Sequence, residues 1–144
     1  MKTSLYRKFF LAAFCAIAIS GCATVSEDIY PRYDGMYFRE VGTFTMYLMF
    51  FEGGRVINAN TDGKLDYTIT EWFNRNYTEN QGLYSVDGKK INFFVEAEAG
   101  RVEFSGTINR GKNGEENKEK MNLLLHSLIN GNRRRFKFKF LSGV

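Results

Sequence analysis

The side chains that could carry out catalysis are few in this chain of 144 residues. The single histidine, His126, falls within a strand-like stretch, where a hydrogen-bonded structural role is more common than general acid–base chemistry. Glu96, Glu98 and Glu103 flank a hairpin signal, and solvated charges explain them better than a pair of catalytic carboxylates does. These residues therefore favour a structural role.

The other acidic pair and the missing motifs lead to the same conclusion. Asp62 and Asp66 lie beside Gly63 in a turn cluster, where aspartate side chains commonly stabilise the turn. The sequence contains no G-x-S-x-G elbow, no phosphate-binding P-loop and no H-E-x-x-H zinc motif. One histidine, with both cysteines near the amino terminus, does not supply an ordinary zinc site. We expect no enzyme activity, no cofactor and no metal.

Covalent chemistry is indicated instead at the amino terminus. Residues 1–8 are basic, residues 9–19 (FFLAAFCAIAI) are apolar, and small residues follow at Ser20, Gly21 and Cys22. This three-part order is typical of a secretory signal peptide. No apolar run reaches the ~18 residues of a membrane-spanning helix, so we expect the role of this stretch to be transient.

The residues before Cys22 carry a more specific signal. Ile19-Ser20-Gly21-Cys22 resembles the lipobox of bacterial lipoproteins. The resemblance implies a diacylglyceryl group on the Cys22 thiol, cleavage between Gly21 and Cys22, and a further acyl chain such as palmitate. Two or more chains hold a protein firmly on a membrane, at ~0.8 kcal/mol per buried CH₂. An ordinary signal peptide with a chance cysteine is the alternative.

The same resemblance implies a location. Ala23 follows Cys22 where an aspartate would retain a Gram-negative lipoprotein at the inner membrane, so export to the outer membrane is implied. We therefore expect a lipid-anchored protein of the cell envelope that faces the periplasm. The other cysteine, Cys15, lies in the leader, so the mature chain would have no disulfide.

The net charge of the chain, +4, comes mostly from the leader. Three of the 20 basic residues and none of the 16 acidic residues fall within residues 1–21, so the mature chain is almost neutral. A nearly neutral domain exerts no general attraction on nucleic acid, and we expect no such partner.

The length suits a single domain after the leader. We assign residues 1–21 to the signal peptide, 22–33 to a polar tether and 34–144 to the domain. Aromatic residues make up 16% of the chain and proline occurs once, at Pro31, which argues against disorder.

Eight stretches of the domain have strand-like composition, and hairpin signals such as Glu52-Gly53-Gly54 and Asp87-Gly88 separate them. The predicted strands are Gly35–Glu40, Thr43–Phe51, Arg55–Asn60, Gly82–Val86, Lys89–Glu96, Arg101–Asn109, Met121–Ile129 and Arg133–Leu141. Thr68 and Glu71 form a capping box, and aromatic residues at helical spacing predict one short helix near residues 69–77.

A weak internal repeat indicates how the strands are arranged. The Gly-x-Tyr sequence at 35–37 recurs at 82–84, and Gly-Arg-Val at 54–56 recurs at 100–102. A three-strand meander thus occurs twice, and two further strands follow it. Strands joined by short hairpins pair in sequence order, and about eight of them can close without exposed edges. We predict an all-β, up-and-down antiparallel barrel.

The segments 34–37 (DGMY), 45–57 (TMYLMFFEGGRVI) and 82–93 (GLYSVDGKKINF) resemble lipocalin-like domains. The shared form is a Gly-x-aromatic opening, an aromatic strand that reaches a glycine turn, and a second Gly-x-Tyr with an Asp-Gly hairpin. Tyr37 stands where lipocalins usually have tryptophan, and the chain after the last predicted strand is too short for the family's carboxy-terminal helix. A reduced, calycin-like barrel is therefore implied.

Inward-facing aromatic residues are one candidate for binding. They could line a cavity for a small apolar ligand or fill the barrel as a packed core, since eight strands allow either. The candidates are Tyr37, Phe44, Phe50, Tyr84, Phe93, Phe104 and Phe138.

Two outward-facing features are also candidates. The stretch Thr43–Phe51 is apolar on both faces, so its outer face must meet the predicted helix, a lipid or a partner. A basic stripe could contact anionic headgroups, at ~1 kcal/mol per base near a membrane, or be a solvated face balanced by the acidic loop 115–119. The stripe consists of Arg133, Arg134, Arg135, Lys137 and Lys139.

Two functional hypotheses follow. The first is a membrane-anchored binding module for an apolar or amphipathic small ligand. The alternative is an envelope protein-interaction or assembly factor, similar to a pilotin or chaperone, with a filled barrel and no ligand. An enclosed apolar cavity would favour the first hypothesis, and a filled interior with an exposed aromatic strip would favour the second.

Overall fold

The structure, a computed structural model, describes residues 27–62, 79–111 and 118–143. Each strand in these ranges pairs antiparallel with the next, and the last pairs with the first, which closes the sheet. The strands are β1 (Gly35–Val41), β2 (Phe44–Phe50), β3 (Arg55–Thr61), β4 (Gln81–Asp87), β5 (Lys90–Ala97), β6 (Gly100–Asn109), β7 (Lys120–Ser127) and β8 (Arg133–Ser142). The predicted eight-stranded up-and-down barrel is confirmed.

The strand boundaries lie within two residues of the predicted ones. The largest difference is at β7, where Leu128 and Ile129 belong to the turn before β8 and not to the strand. The helix predicted near residues 69–77 and its capping pair lie outside the described residues. Within the described residues, no helix is long and apolar enough to cross a membrane.

Tight turns produce the sequential pairing of the strands. Gly53 and Gly54, between β2 and β3, have φ values of 89° and 90°, which side chains other than glycine rarely adopt. Such short connections bring consecutive strands together at little cost in loop-closure entropy.

Glycines inside the strands allow the barrel to bend. A Cβ atom on Gly106 of β6 would overlap the carbonyl oxygen of Asn122 on β7, and one on Gly82 would overlap that of Phe94. Glycine is the residue that permits such a close approach between neighbouring backbones. Glycine at these two positions therefore permits the close approach of the neighbouring strands.

The inward-facing side chains form one continuous core. Alternate residues of each strand contribute to it, as the period of a strand requires. Its buried members are Tyr37, Met46, Leu48, Phe50, Val56, Ile91, Phe93, Val95, Phe104, Ile108, Met121, Leu123, Phe138 and Phe140.

A second apolar cluster lies on the outer side of β1–β3. Met36, Tyr47, Ile57 and Ala59 are each at most 3% exposed. β2 is therefore buried on both faces, as its two-sided apolar sequence requires. This outer side is a second core and not an open surface.

Residues 27–34, which we call the strap, lie against one end of the barrel. The backbone N–H of Gly88 donates to Oδ1 of Asp28 at 2.7 Å, and the N–H of Ile29 donates to the Gly88 carbonyl at 2.8 Å. Ile29 and Tyr33 also pack against the main core. The described part of the predicted tether is thus attached to the barrel and not free.

Candidate functional site

The predicted interior aromatic residues all contribute to the main core. Five of the seven are buried, and Phe44 and Tyr84 are partly buried against them. Ring centroids lie 5.4 Å apart for Phe50 and Phe93, and 4.6 Å apart for Phe93 and Phe104, which stack. Rings at these separations are in contact. This packing favours a filled core, and binding of a ligand among these seven residues stays a prediction.

A buried polar network lies at the strap end of the barrel. The hydroxyl of Tyr37 donates to the carboxyl of Glu119 and accepts a hydrogen bond from the backbone N–H of Arg32 at 2.9 Å. Nε of Arg110 lies 3.8 Å from the second carboxyl oxygen of Glu119. The strap is therefore held to the core through the Tyr37 hydroxyl.

Burial sets the ionisation of this network. Glu119 is 3% exposed, and burial raises the pKa of its carboxyl above the ordinary value, although the Tyr37 hydrogen bond opposes the shift. Burial also raises the pKa of the Tyr37 hydroxyl, and the neighbouring Glu119 adds to that effect. Tyr37 stays protonated and able to donate, which suits a structural role.

Two aromatic contacts complete the closure of this end. The hydroxyl groups of Tyr33 and Tyr84 lie 2.8 Å apart, and the guanidinium carbon of Arg32 lies 4.2 Å from the ring centroid of Phe140. The strap thus covers this mouth of the barrel.

Open concave surface is found on the outer face of the barrel. A groove of about 600 Å³, which we call the large groove, crosses β4–β7 and reaches β8. Leu83, Phe94 and Leu124 supply its outward-facing apolar lining, and Leu83 is 61% exposed. The core residues Phe93 and Phe104 also border it. A volume of this size is within the range of small-molecule sites.

Polar side chains line one row across the large groove. The backbone register places Glu103 beside His126, and His126 beside Arg133. Nδ1 of His126 lies 3.7 Å from Oε2 of Glu103, and the Glu103 side chain is 48% exposed. Because this pair is exposed, it contributes little to stability. Its two side chains form a polar edge of the groove.

A second groove of about 490 Å³ adjoins the first, and we call it the basic groove. Arg39, Arg135 and Lys137 line it, and Ser105 and Leu124 line both grooves. The outer face of β4–β8 therefore combines an apolar section with a cationic section.

The basic stripe predicted from the sequence lies on β8 and is exposed throughout. The neighbours of Arg135, Lys137 and Lys139 along the strand, Phe136 and Phe138, face the core. Arg134 occupies the opposite phase of the strand from Arg133 and Arg135, and its backbone partner is Leu125. The stripe is thus a row on the outer face with Arg134 set apart, and its contact with a membrane stays a prediction.

The structure brings together few of the residues first considered for catalysis. Glu96 accepts a hydrogen bond from Nε of Arg101 at 2.8 Å, and Glu98 and Asp62 are exposed. Asp66 and Cys22 lie outside the described residues. Within the described ranges, no three residues of the types His, Cys, Asp and Glu are placed to hold a metal ion.

The grooves were not foreseen, although the sequence held a signal for them. Leu83 and Phe94 occupy outward positions of β4 and β5, where a solvated face normally has polar residues. Arg39 is the opposite case, a charged residue at an inward position, because it lies two residues after the inward-facing Tyr37. The signal in the sequence was therefore an apolar residue at an outward position or a charged residue at an inward position.

Comparisons of the chain with protein-family models, with curated proteins and with solved structures found no match. The candidate site is therefore defined by its own geometry.

Proposed function

We propose that this protein is a lipid-anchored protein of the cell envelope that binds an amphipathic ligand on the outer face of its barrel. The observation that carries the proposal is the contrast between a filled interior and an open apolar groove. Phe93 and Phe104 stack inside the barrel, whereas Leu83 is 61% exposed in the large groove. An apolar side chain so exposed beside others is a feature of binding surfaces.

The anchor rests on the leader and on the position of the strap. The lipobox resemblance at residues 19–22 supports lipidation of Cys22, and Ala23 supports an outer-membrane location that faces the periplasm. Asp28 is already bound to the barrel, so only a few residues would separate the lipid from the domain. The ligand site would therefore stay within a few nanometres of the membrane surface.

A lipocalin-like relationship is part of the proposal. The closed eight-stranded barrel and the segments at 34–37, 45–57 and 82–93 support it. The ligand site we propose nevertheless lies outside the barrel, because the aromatic side chains occupy the interior.

The experiment is a titration of the unlipidated mature chain, which begins at residue 22 and carries Cys22→Ser. The probe is n-dodecyl-β-maltoside below its critical micelle concentration, and the readouts are calorimetry and backbone amide shifts. We expect the shifts to concentrate on β4–β7 around Leu83 and Phe94. Leu83→Ser should weaken binding about tenfold, because it removes exposed apolar contact area.

The matched control is Ile129→Ser, which removes a similarly exposed apolar side chain (48%) outside the large groove. It should change the affinity less than twofold. Equal effects of the two variants would contradict the groove. Shifts confined to Phe50 and Phe138, which are buried in the core and do not line the large groove, would instead locate the ligand in the interior.

A protein partner is the second candidate, and the β7–β8 turn favours it. Leu128 and Ile129 project from this turn and are about half exposed. If they contact an envelope protein, Leu128→Ser with Ile129→Ser should abolish a crosslink formed in cells through a photoreactive residue at Asn130. An unchanged crosslink would exclude this turn as the contact.

A further inference from the structure

β1 and β8 separate near the end of the barrel opposite the strap. Their ladder runs from Gly35–Ser142 to Phe38–Lys139, and among the described strands the earlier part of β8 pairs with β7 alone. Arg39 is the next residue of β1 after the last pair. Its guanidinium carbon lies 4.9 Å from the ring centroid of Phe136 on β8. The Arg39 side chain is thus placed where the two strands part.

Arg39 has a buried donor that no described residue satisfies. Its Nε atom is inaccessible and makes no hydrogen bond within the part of the chain that the structure describes. A buried polar atom of this kind lowers stability unless another group satisfies it. The planar guanidinium is suited to a bidentate oxyanion.

The surroundings of Arg39 are cationic. The basic groove is lined by Arg39, Arg135 and Lys137, together with the polar side chains of Ser105 and Asn122, and none of its described lining residues is acidic. Glu40, the acid next to Arg39 in sequence, is exposed on the outer face of β1 and is not among the described lining residues of the basic groove. The three positive charges of this described lining attract an anion.

We propose that Arg39, Arg135 and Lys137 bind a phosphate group, and that this group is the head of the amphipathic ligand. The inference rests on the proposed function, because the tail would lie in the large groove. Ser105 and Leu124 line both grooves, so a head in one adjoins a tail in the other. The Arg39 fork and the hydroxyl of Ser105 would donate to the phosphate oxygens.

The test compares three probes on the unlipidated mature chain by calorimetry. They are inorganic phosphate, monododecyl phosphate and n-dodecyl-β-maltoside, the last two below their critical micelle concentrations. Arg39→Gln should lower the affinity for monododecyl phosphate at least tenfold and change the affinity for the maltoside less than twofold. Arg135→Gln should act in the same direction, and it substitutes an exposed side chain should Arg39→Gln disturb folding.

Lys89→Gln is the control, since it removes one positive charge from an exposed turn residue outside both grooves. It should change the affinity for monododecyl phosphate less than twofold. Tighter binding of monododecyl phosphate than of inorganic phosphate identifies a lipid-type ligand, and equal binding identifies a site for free phosphate. Both results support the phosphate site, but equal binding would overturn its assignment to the head of an amphipathic ligand.

Two results would overturn the inference, and they separate it from the proposed function. Leu83→Ser could weaken binding of the maltoside while neither arginine variant weakens binding of monododecyl phosphate. That result would support the large groove as a binding site and refute the phosphate site. If Lys89→Gln weakens binding as much as Arg39→Gln does, the effect is one of net charge and the site is refuted.

Discussion

The hydroxyl of Tyr37, at the start of the barrel, donates a hydrogen bond to the carboxyl of Glu119, which lies 82 positions later in the chain. The same hydroxyl accepts from the backbone of Arg32 in the strap. One phenol therefore joins the strap, the first strand and the residue that precedes β7, and the closure of this mouth depends on it.

Tyr37→Phe should destabilise the protein. The substitution keeps the ring in the core but leaves the buried Glu119 carboxyl without its donor, at a cost of about 1–3 kcal/mol. Urea unfolding followed by fluorescence measures the change. Tyr30→Phe, at a half-exposed tyrosine of the strap, should cost less than about 0.5 kcal/mol. Equal losses would contradict the role of the Tyr37 hydroxyl.

The pH dependence of stability should contain a contribution from Glu119. Because burial raises the pKa of this carboxyl above its ordinary value of 4.5, the folded protein binds the proton more tightly than the unfolded chain does. The contribution of this group is therefore fully present below the unfolded pKa and is lost as the pH rises through the folded pKa.

Glu119→Gln isolates that contribution, because the amide cannot ionise and its oxygen can still accept from Tyr37. From about pH 4 to about pH 8, the parent should lose the contribution of Glu119 to its unfolding free energy. The variant should not show this loss, so the change in its unfolding free energy from the lower to the higher pH should be more positive than that of the parent. Glu98→Gln, at an exposed carboxyl, is the control and should follow the parent. Parallel curves for Glu119→Gln and the parent would disprove the prediction.

Gly106→Ala should destabilise the barrel. Its Cβ would overlap the carbonyl oxygen of Asn122, and only a backbone shift between β6 and β7 relieves the overlap. We expect a loss of about 1–3 kcal/mol, the usual cost of overpacking, in thermal and urea unfolding. Asn109→Ala, at an exposed position of the same strand, is the control. A loss no larger than that of the control would show that the strands can part there freely.

Phe104→Ala should open a cavity in the filled interior. Phe104 is 2% exposed and stacks on Phe93, so we expect a loss of about 3–5 kcal/mol in urea unfolding. Leu83→Ala removes an exposed apolar side chain and should cost far less. A small loss for Phe104→Ala would indicate spare space inside the barrel and would favour an interior ligand.

Cys22→Ser should release the protein from the membrane. Serine has no thiol to receive the diacylglyceryl group, so the product is expected either to keep its leader or to appear in the soluble fraction. Fractionation of cells and intact mass spectrometry measure both results. Cys15→Ser, inside the leader, is the control and should leave fractionation unchanged. Membrane association of the Cys22→Ser product after removal of the leader would contradict lipidation.

The fold was largely predictable because its signals are local. Alternation along stretches such as Arg133–Leu141 reports which residues face the core, and glycine at Gly53 and Gly54 reports a turn whose backbone other residues avoid. Short connections then leave sequential pairing as the simplest arrangement. The candidate site was less predictable, because only the polarity of single residues such as Leu83 and Phe94 signals the large groove. Arg39 approaches Arg135 and Lys137 only when β1 closes on β8.

Taken alone, the sequence determined the eight strands, their order and the division of side chains between the two faces of the sheet. Only the tertiary structure decided that the aromatic rings fill the interior, that the strap covers one mouth through Tyr37, and that Arg39 lies beside Arg135 and Lys137. The physical reason is range: alternation and turns depend on a few neighbouring residues, whereas packing, closure and the grooves depend on how the strands bend and shift past one another around the barrel.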